Sequence, residues 1–225
     1  MGFLESVPER VLLDACRAAP IFPLPEVVFI PNTMLPLHVF EERYRNLVRD
    51  SLAGDRILVV PTLAPGWQAD RSDTPPVNEI AGIGKIVKVQ ELSDGRFNII
   101  LAGLCRVRLG QEHPLSNGYR RVVADVLHRK RPKEGDEAMA RRLGHLQMLF
   151  GQLLMNSPTP DHRLGQLVEN EPTLALVDVL ANLLIREPKD RQAYLEVNAY
   201  WDCAEVVMDV LSEMLAHMHE PTGNN

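Results

Sequence analysis

Glu41-Glu42-Arg43 sets two carboxylates and a guanidinium in three consecutive positions. Carboxylates do acid–base work when they face one another. Neighbours on a helix point in different directions, so these two make no such pair. The run reads instead as a fixed ion pair or hydrogen bond at the start of a helix, where Glu41 also meets the helix dipole favourably; substrate contact is the alternative. The seven histidines, His38, His113, His128, His145, His162, His217 and His219, form no H-E-x-x-H, and no Cys/His cluster accompanies them. His217-Met218-His219 reads as a solvated tail. The three cysteines, Cys16, Cys105 and Cys203, are too few and too far apart for a disulfide framework or a zinc site. Their apolar surroundings mark buried thiols, and a reducing cytoplasm is the default compartment. Gly82-Ile83-Gly84-Lys85 comes nearest to a phosphate loop. It lacks the spacing and the hydroxyl that G-x-x-x-x-G-K-[ST] needs to wrap phosphates, and it runs into a strand. Glycines easing tight packing in a curved strand explain it better. No serine sits in a G-x-S-x-G elbow. No cofactor and no metal are expected, and no catalytic residue emerges.

Two basic clusters stand out. Arg120-Arg121 should alternate across a strand, one head to each side. Arg129-Lys130-Arg131-Pro132-Lys133 sits at a composition switch, where solvated charge is expected. The second cluster lacks the neighbouring aromatics that stack bases, which argues against nucleic acid. Trp67 lies in the Pro/Gly/Asp-rich stretch 63–78, so it either folds back over the core or presents an anchor for a partner.

The chain has 225 residues, enough for one large domain or two small ones with a proper core. No apolar run approaches the roughly 20 residues of a membrane helix, and the N-terminus lacks a secretory leader. The net charge of −6 is unevenly spread: residues 1–142 carry 20 Lys/Arg against 18 Asp/Glu, residues 143–225 only 4 against 12. The acidic second part does not favour a nucleic-acid surface.

Spacing predicts a helix over 3–19, with Leu4, Val7, Val11, Leu12 and Ala15 on its apolar face and Pro20 at its end. Its apolar face must cover its own barrel or another subunit. Residues 20–128 read as strand-rich with one helix at 39–53, closed by a left-handed Gly54. Phe40 and Tyr44, four apart on that helix, should face the core. Prolines 23, 25, 31 and 36 must mark strand ends and edges. Strands are expected at 56–61, 80–92, 96–101, 105–109 and 119–127, with a hairpin turn at Ser93-Asp94-Gly95. Short strands with tight turns suggest a small closed barrel. From 129 onward the period moves from two towards 3.6. Helices are expected over 135–156, 161–169, 171–186, 188–197 and 199–217, with a linker at 157–160.

One stretch is specific enough to compare with a family. Phe22-Pro23-Leu24, Val28-Phe29, Pro31, Leu35-Pro36-Leu37-His38-Val39-Phe40-Glu41 and Arg43-Tyr44-Arg45 resemble the opening of the LON domain, the N-terminal substrate-recognition domain of Lon proteases. Gly82-Ile83-Gly84, the hairpin at Asp94-Gly95 and a Gly103-Leu104-Cys105-Arg106 turn continue the likeness. So do Ala181-Asn182-Leu183, Gln192-Ala193-Tyr194-Leu195-Glu196 and the final helix 199–217. The match spans about residues 20–217. The helix before it looks like an addition.

The resemblance implies an α+β fold. A PUA-like β-barrel with one early helix (20–128) would follow the N-terminal helix (1–19) and precede a helical subdomain (129–225). It implies a non-catalytic module that recognises unfolded or flexible protein segments, with a separate protease or ATPase as a companion. The chain is expected to end where the family's ATPase and peptidase domains would begin. Burial of apolar client side chains on an exposed patch, with strand addition at an edge, would supply the binding. Met34, Pro36 and Trp67, all expected on loops, are the candidate contacts. The rival reading is an RNA- or small-molecule-binding PUA-like module.

Overall fold

In the computed structural model, which describes residues 7–70, 72–115, 117–156, 164–166 and 173–219, Pro8 sets the start of the first helix. Its carbonyl accepts the Leu12 N–H at 3.2 Å, and α1 runs Glu9–Ala15 before a 3-10 turn at Cys16–Ala18. Residues 3–6 of the expected helix lie outside the described residues, as do the proposed linker at 157–160 and most of the expected helix at 161–169. The chain divides into two compact units, Met1–His128 and Arg129–Asn225.

In the first unit the strands are β1 (Ala19–Pro20), β2 (Met34–Val39), β3 (Ile57–Val60), β4 (Ile80–Glu91), β5 (Phe97–Glu112) and β6 (Arg121–Leu127). They pair antiparallel in the order β1-β6-β5-β4-β3, with β2 joined to β5 off that path. The residues after β1 then run parallel to β3. Ile21 bridges Val59, Phe22 N–H donates to the Val59 carbonyl at 2.8 Å, and Leu24 N–H donates to the Pro61 carbonyl at 3.0 Å. That parallel seam closes the sheet on itself, so neither end of the path is left as a bare edge.

All four β3 residues are buried because each face of the strand meets a different core. On one side Leu58 and Val60 join Phe22, Phe29, Ile86, Phe97 and Leu101 under α2 (Glu42–Ala53), which adds Leu47 and Val48. On the other side Ile57 and Val59 join Ile83, Val107 and Val122. Leu12 and Cys16 pack there too, with Val7, Val11 and Ala15 half-buried against them. The N-terminal helix therefore covers its own barrel.

Three glycines let the Phe29–Pro31 segment lie against the sheet. A Cβ on Gly82 would stand 2.0 Å from the Phe29 carbonyl oxygen, one on Gly84 2.5 Å from the Phe29 ring, and one on Gly103 2.7 Å from the Ile30 carbonyl oxygen. The β4–β5 register shifts at Ile83/Gly84 and again at Ile86/Lys88. β5 runs unbroken for 16 residues. Two strands at 96–101 and 105–109 joined by a turn at Gly103 were expected; the glycine admits a close neighbour within one strand. Gly54 also differs from expectation: its φ is −111°, and Arg56 instead takes the left-handed conformation (φ 63°) while its N–H donates to the Ser51 carbonyl.

The second unit holds α3 (Glu137–Met155), α4 (Leu174–Leu184), α5 (Pro188–Glu196) and α6 (Tyr200–His219) among the described residues. Asp136 caps α3 by accepting the Met139 N–H at 3.0 Å. Arg129 departs from the solvated reading. Its side chain is 3% exposed and pairs with Asp178, itself fully buried on α4. Its other donors reach the Tyr194 and Val197 carbonyls, each at 3.2 Å, and its guanidinium lies over the Tyr194 and Tyr200 rings. Tyr194 adds its own hydroxyl to Asp178 at 2.8 Å. A charge can leave water here because each of the three guanidinium nitrogens finds a partner. Among the described residues, no helix is long and apolar enough to cross a membrane.

Candidate functional site

The first unit carries a cleft of about 440 Å³. Three stretches of chain build most of it. The segment leaving β1 brings Phe22 and Leu24, the turn from β2 into α2 brings His38, Phe40, Glu41 and Tyr44, and the loop after β3 brings Trp67 and Pro75.

Aromatic packing shapes the floor. The Phe22 and Tyr44 rings stack with centroids 4.2 Å apart and planes 24° apart. Burial raises the Tyr44 phenol above its ordinary range, against the pull of the Arg43 guanidinium, which sits 4.9 Å above the ring. Arg43 also holds Glu41 through both Nε (2.9 Å) and Nη2 (2.8 Å). The pair is half-exposed at the entry to α2, so the sequence run is spent on a local ion pair and leaves no free acid–base couple.

The wall is tied to the barrel. Arg120, buried just before β6, makes two hydrogen bonds to Glu112 and a third, of 2.7 Å, to the Pro75 carbonyl. Arg121 faces elsewhere, towards Tyr119 and Asp50. The loop ends are pinned by Ala64 N–H to the Pro76 carbonyl and Asn78 N–H to the Thr62 carbonyl, both 2.9 Å. Between them Gly66, at φ 84°, starts the short 3-10 turn that presents Trp67. Below the cleft, Asp50 on α2 accepts hydrogen bonds from Asn117 and from the Tyr119 hydroxyl, each 2.7 Å. Those bonds hold its carboxyl below the usual carboxylate range.

Of the expected contacts, Trp67 lies in this cleft, half-buried in its wall. Met34 and Pro36 do not line it. Both lie in β2 rather than on loops, with side chains on the exposed face of the strand; Met34 is 47% exposed. Pro36 is tolerated because β2 is an edge strand, paired only with β5. Phe40 reverses its expectation. The helix begins at Glu42, not 39, so Phe40 is not on the face of Tyr44, and it is 61% exposed at the cleft rim, its ring 6.3 Å from His38. Alternation could have found this. Leu35, Leu37 and Val39 turn inward, and continuing the period puts Phe40 outward with Met34, Pro36 and His38.

No cysteine or serine is among the described residues that line the cleft. Burial pushes the Cys16 thiol up to about 11 and the Cys105 thiol up to about 12, and both lie in or beside the opposite core. Among the described residues, no three His, Cys, Asp or Glu side chains are placed to hold a metal ion.

Residues 18–212 match the family model of the ATP-dependent protease La (LON) substrate-binding domain. The chain belongs to that family. It is 30% identical to the Lon protease of Koribacter versatilis over 185 residues and 24% identical to that of Flavobacterium johnsoniae over 187. In each case 80% of this chain covers 22% of the relative. The chain thus spans about a fifth of the length of these curated relatives. Two solved structures share the fold. The N-terminal domain of a Mycobacterium avium complex Lon protease gives a TM-score of 0.63 at 14% identity, covering 87% of this chain and 98% of that one. A Lon N-terminal domain protein from Xanthomonas campestris gives 0.60 at 21%, covering 85% and 97%.

Proposed function

We propose that the cleft recognises extended, flexible protein segments and binds them without transforming them. The observation that carries this is Phe40: a large aromatic ring left in solvent where an edge strand runs out, facing a trough floored by stacked Phe22 and Tyr44. A client residue with an apolar side chain would enter between Phe40 and Trp67. Its backbone would lie along β2, whose Met34 and Pro36 then act as flanking contacts. Membership in a substrate-binding family supports the reading. So does the engagement of Glu41 and Arg43 with each other, which commits those two charges to a local ion pair. The clients in this proposal are unfolded or flexible segments, and a separate ATPase or protease would act on them.

The test is fluorescence anisotropy with a labelled, permanently unfolded protein at two salt concentrations. Binding in the micromolar range, little changed by salt, is expected, because one apolar patch must offset the ordering of a flexible client. Phe40→Ala and Trp67→Ala should each weaken it several-fold. Failure to bind unfolded protein, together with salt-sensitive binding of single-stranded RNA, would give the cleft to nucleic acid instead.

A further inference from the structure

The second unit contains a larger trough, about 740 Å³, walled by α5 and α6. The last helix has two apolar stripes. Cys203, Val207 and Leu211 recur every four residues and are sealed in the core of the unit. Val206, Val210 and Met214 recur every four residues on a second line, are only half-buried, and floor the trough. Beside that second line run Asp209 and Glu213. Across the trough, α5 and the turn before it bring Glu187 and Asp190 to the opposite wall. Among the described residues none of these four carboxylates is engaged in an ion pair, and Arg186 is the one lysine or arginine in the lining.

We propose that this trough docks a basic amphipathic helix of a partner protein. Two helical walls with an apolar floor have the shape that receives a helix in a groove. From Val206 to His217 the floor extends roughly 16 Å at about 1.5 Å per residue, three helical turns. The two lines of uncommitted carboxylates choose the sign. A helix with an apolar stripe flanked by Lys or Arg would satisfy both walls, whereas an acidic one would bury like charge against like. This site is separate from the cleft and does not depend on how the cleft is read.

The experiment titrates two labelled peptides of roughly 18 residues, long enough to form a helix, into the whole chain. Both carry the same leucine stripe, flanked by Lys in one and by Glu in the other. The Lys peptide should bind, weaken as salt rises, and map by amide shifts onto α5 and α6. The Glu peptide should not bind. Asp209→Lys with Glu213→Lys should weaken the Lys peptide about tenfold, the sum of several surface charge pairs. Phe40→Ala and Trp67→Ala should leave it unchanged, which separates this site from the cleft. If the double variant misfolds by circular dichroism, Asp190→Lys on α5 carries the same expectation. Equal binding of both peptides, binding untouched by the reversals, or no binding would overturn the proposal. So would a dimer in sedimentation that Met214→Glu takes apart, since the trough would then belong to a second copy of the chain.

Discussion

Phe40 lies at the rim of the cleft with most of its ring in water, so its removal opens no cavity. Phe40→Ala is expected to change stability by less than about 1 kcal/mol, against the 3–5 kcal/mol typical of a buried phenylalanine. Urea melts check the first figure; a larger loss would mean that the ring packs inward. Binding of unfolded protein should fall in the same variant. Asp50 offers a pH handle. Its folded pKa is depressed by Asn117 and Tyr119. It therefore contributes stability that is present above the unfolded carboxylate value of about 4 and is lost as pH falls below it. Thermal melts of the wild type and of Asp50→Asn should differ at neutral pH and converge under acid; a constant gap down to the lowest pH would exclude the linkage.

At the scale of elements, the sequence was legible where period and punctuation agree. The hairpin at Asp94-Gly95, the buried β3, the β4 strand and the four described helices of the second unit follow from spacing. It was misleading where tertiary contact overrides a local signal. Gly103 looks like a turn but admits the Ile30 backbone within a continuous strand. Pro36, expected on a loop as a contact, instead lies in β2, on the edge that its lack of a donor had pointed to. The cleft was half legible: Trp67 stands out as a loop aromatic, while Phe40 is masked by a plausible helical i, i+4 partner in Tyr44. Arg129 was illegible because its partner lies on α4 and its stacking rings on α5 and α6, none of them near it in sequence. Arg129→Ala should cost about 3–5 kcal/mol by leaving the buried Asp178 carboxylate without its counter-charge. Replacing both members with apolar residues should restore much of that in the same denaturation assay. If the double replacement costs as much as the single one, the tyrosine stacking rather than the ion pair holds these helices.

For the whole molecule, every residue that lines the cleft falls between Ile21 and Arg120, inside the first compact unit. A fragment of residues 1–128 is therefore expected to fold and to bind unfolded protein within a few-fold of the full chain. Folding with binding lost would place an essential part of the recognition surface in residues 129–225.

The pairing of β1 with β6 also sets a schedule. Ala19 pairs with Val122, about a hundred residues further along, so β1 has no sheet partner on that side until β6 has been made. At the usual rate of synthesis, roughly 5–20 residues per second, that wait is on the order of 5–20 s. Throughout it the apolar run from Ile21 to Ile30 leaves the ribosome ahead of the strands that will bury it, and the long-range pairing makes closure slow once they arrive. A module proposed to hold the unfolded segments of other proteins thus spends its own birth as such a segment, dependent on whatever shields nascent chains.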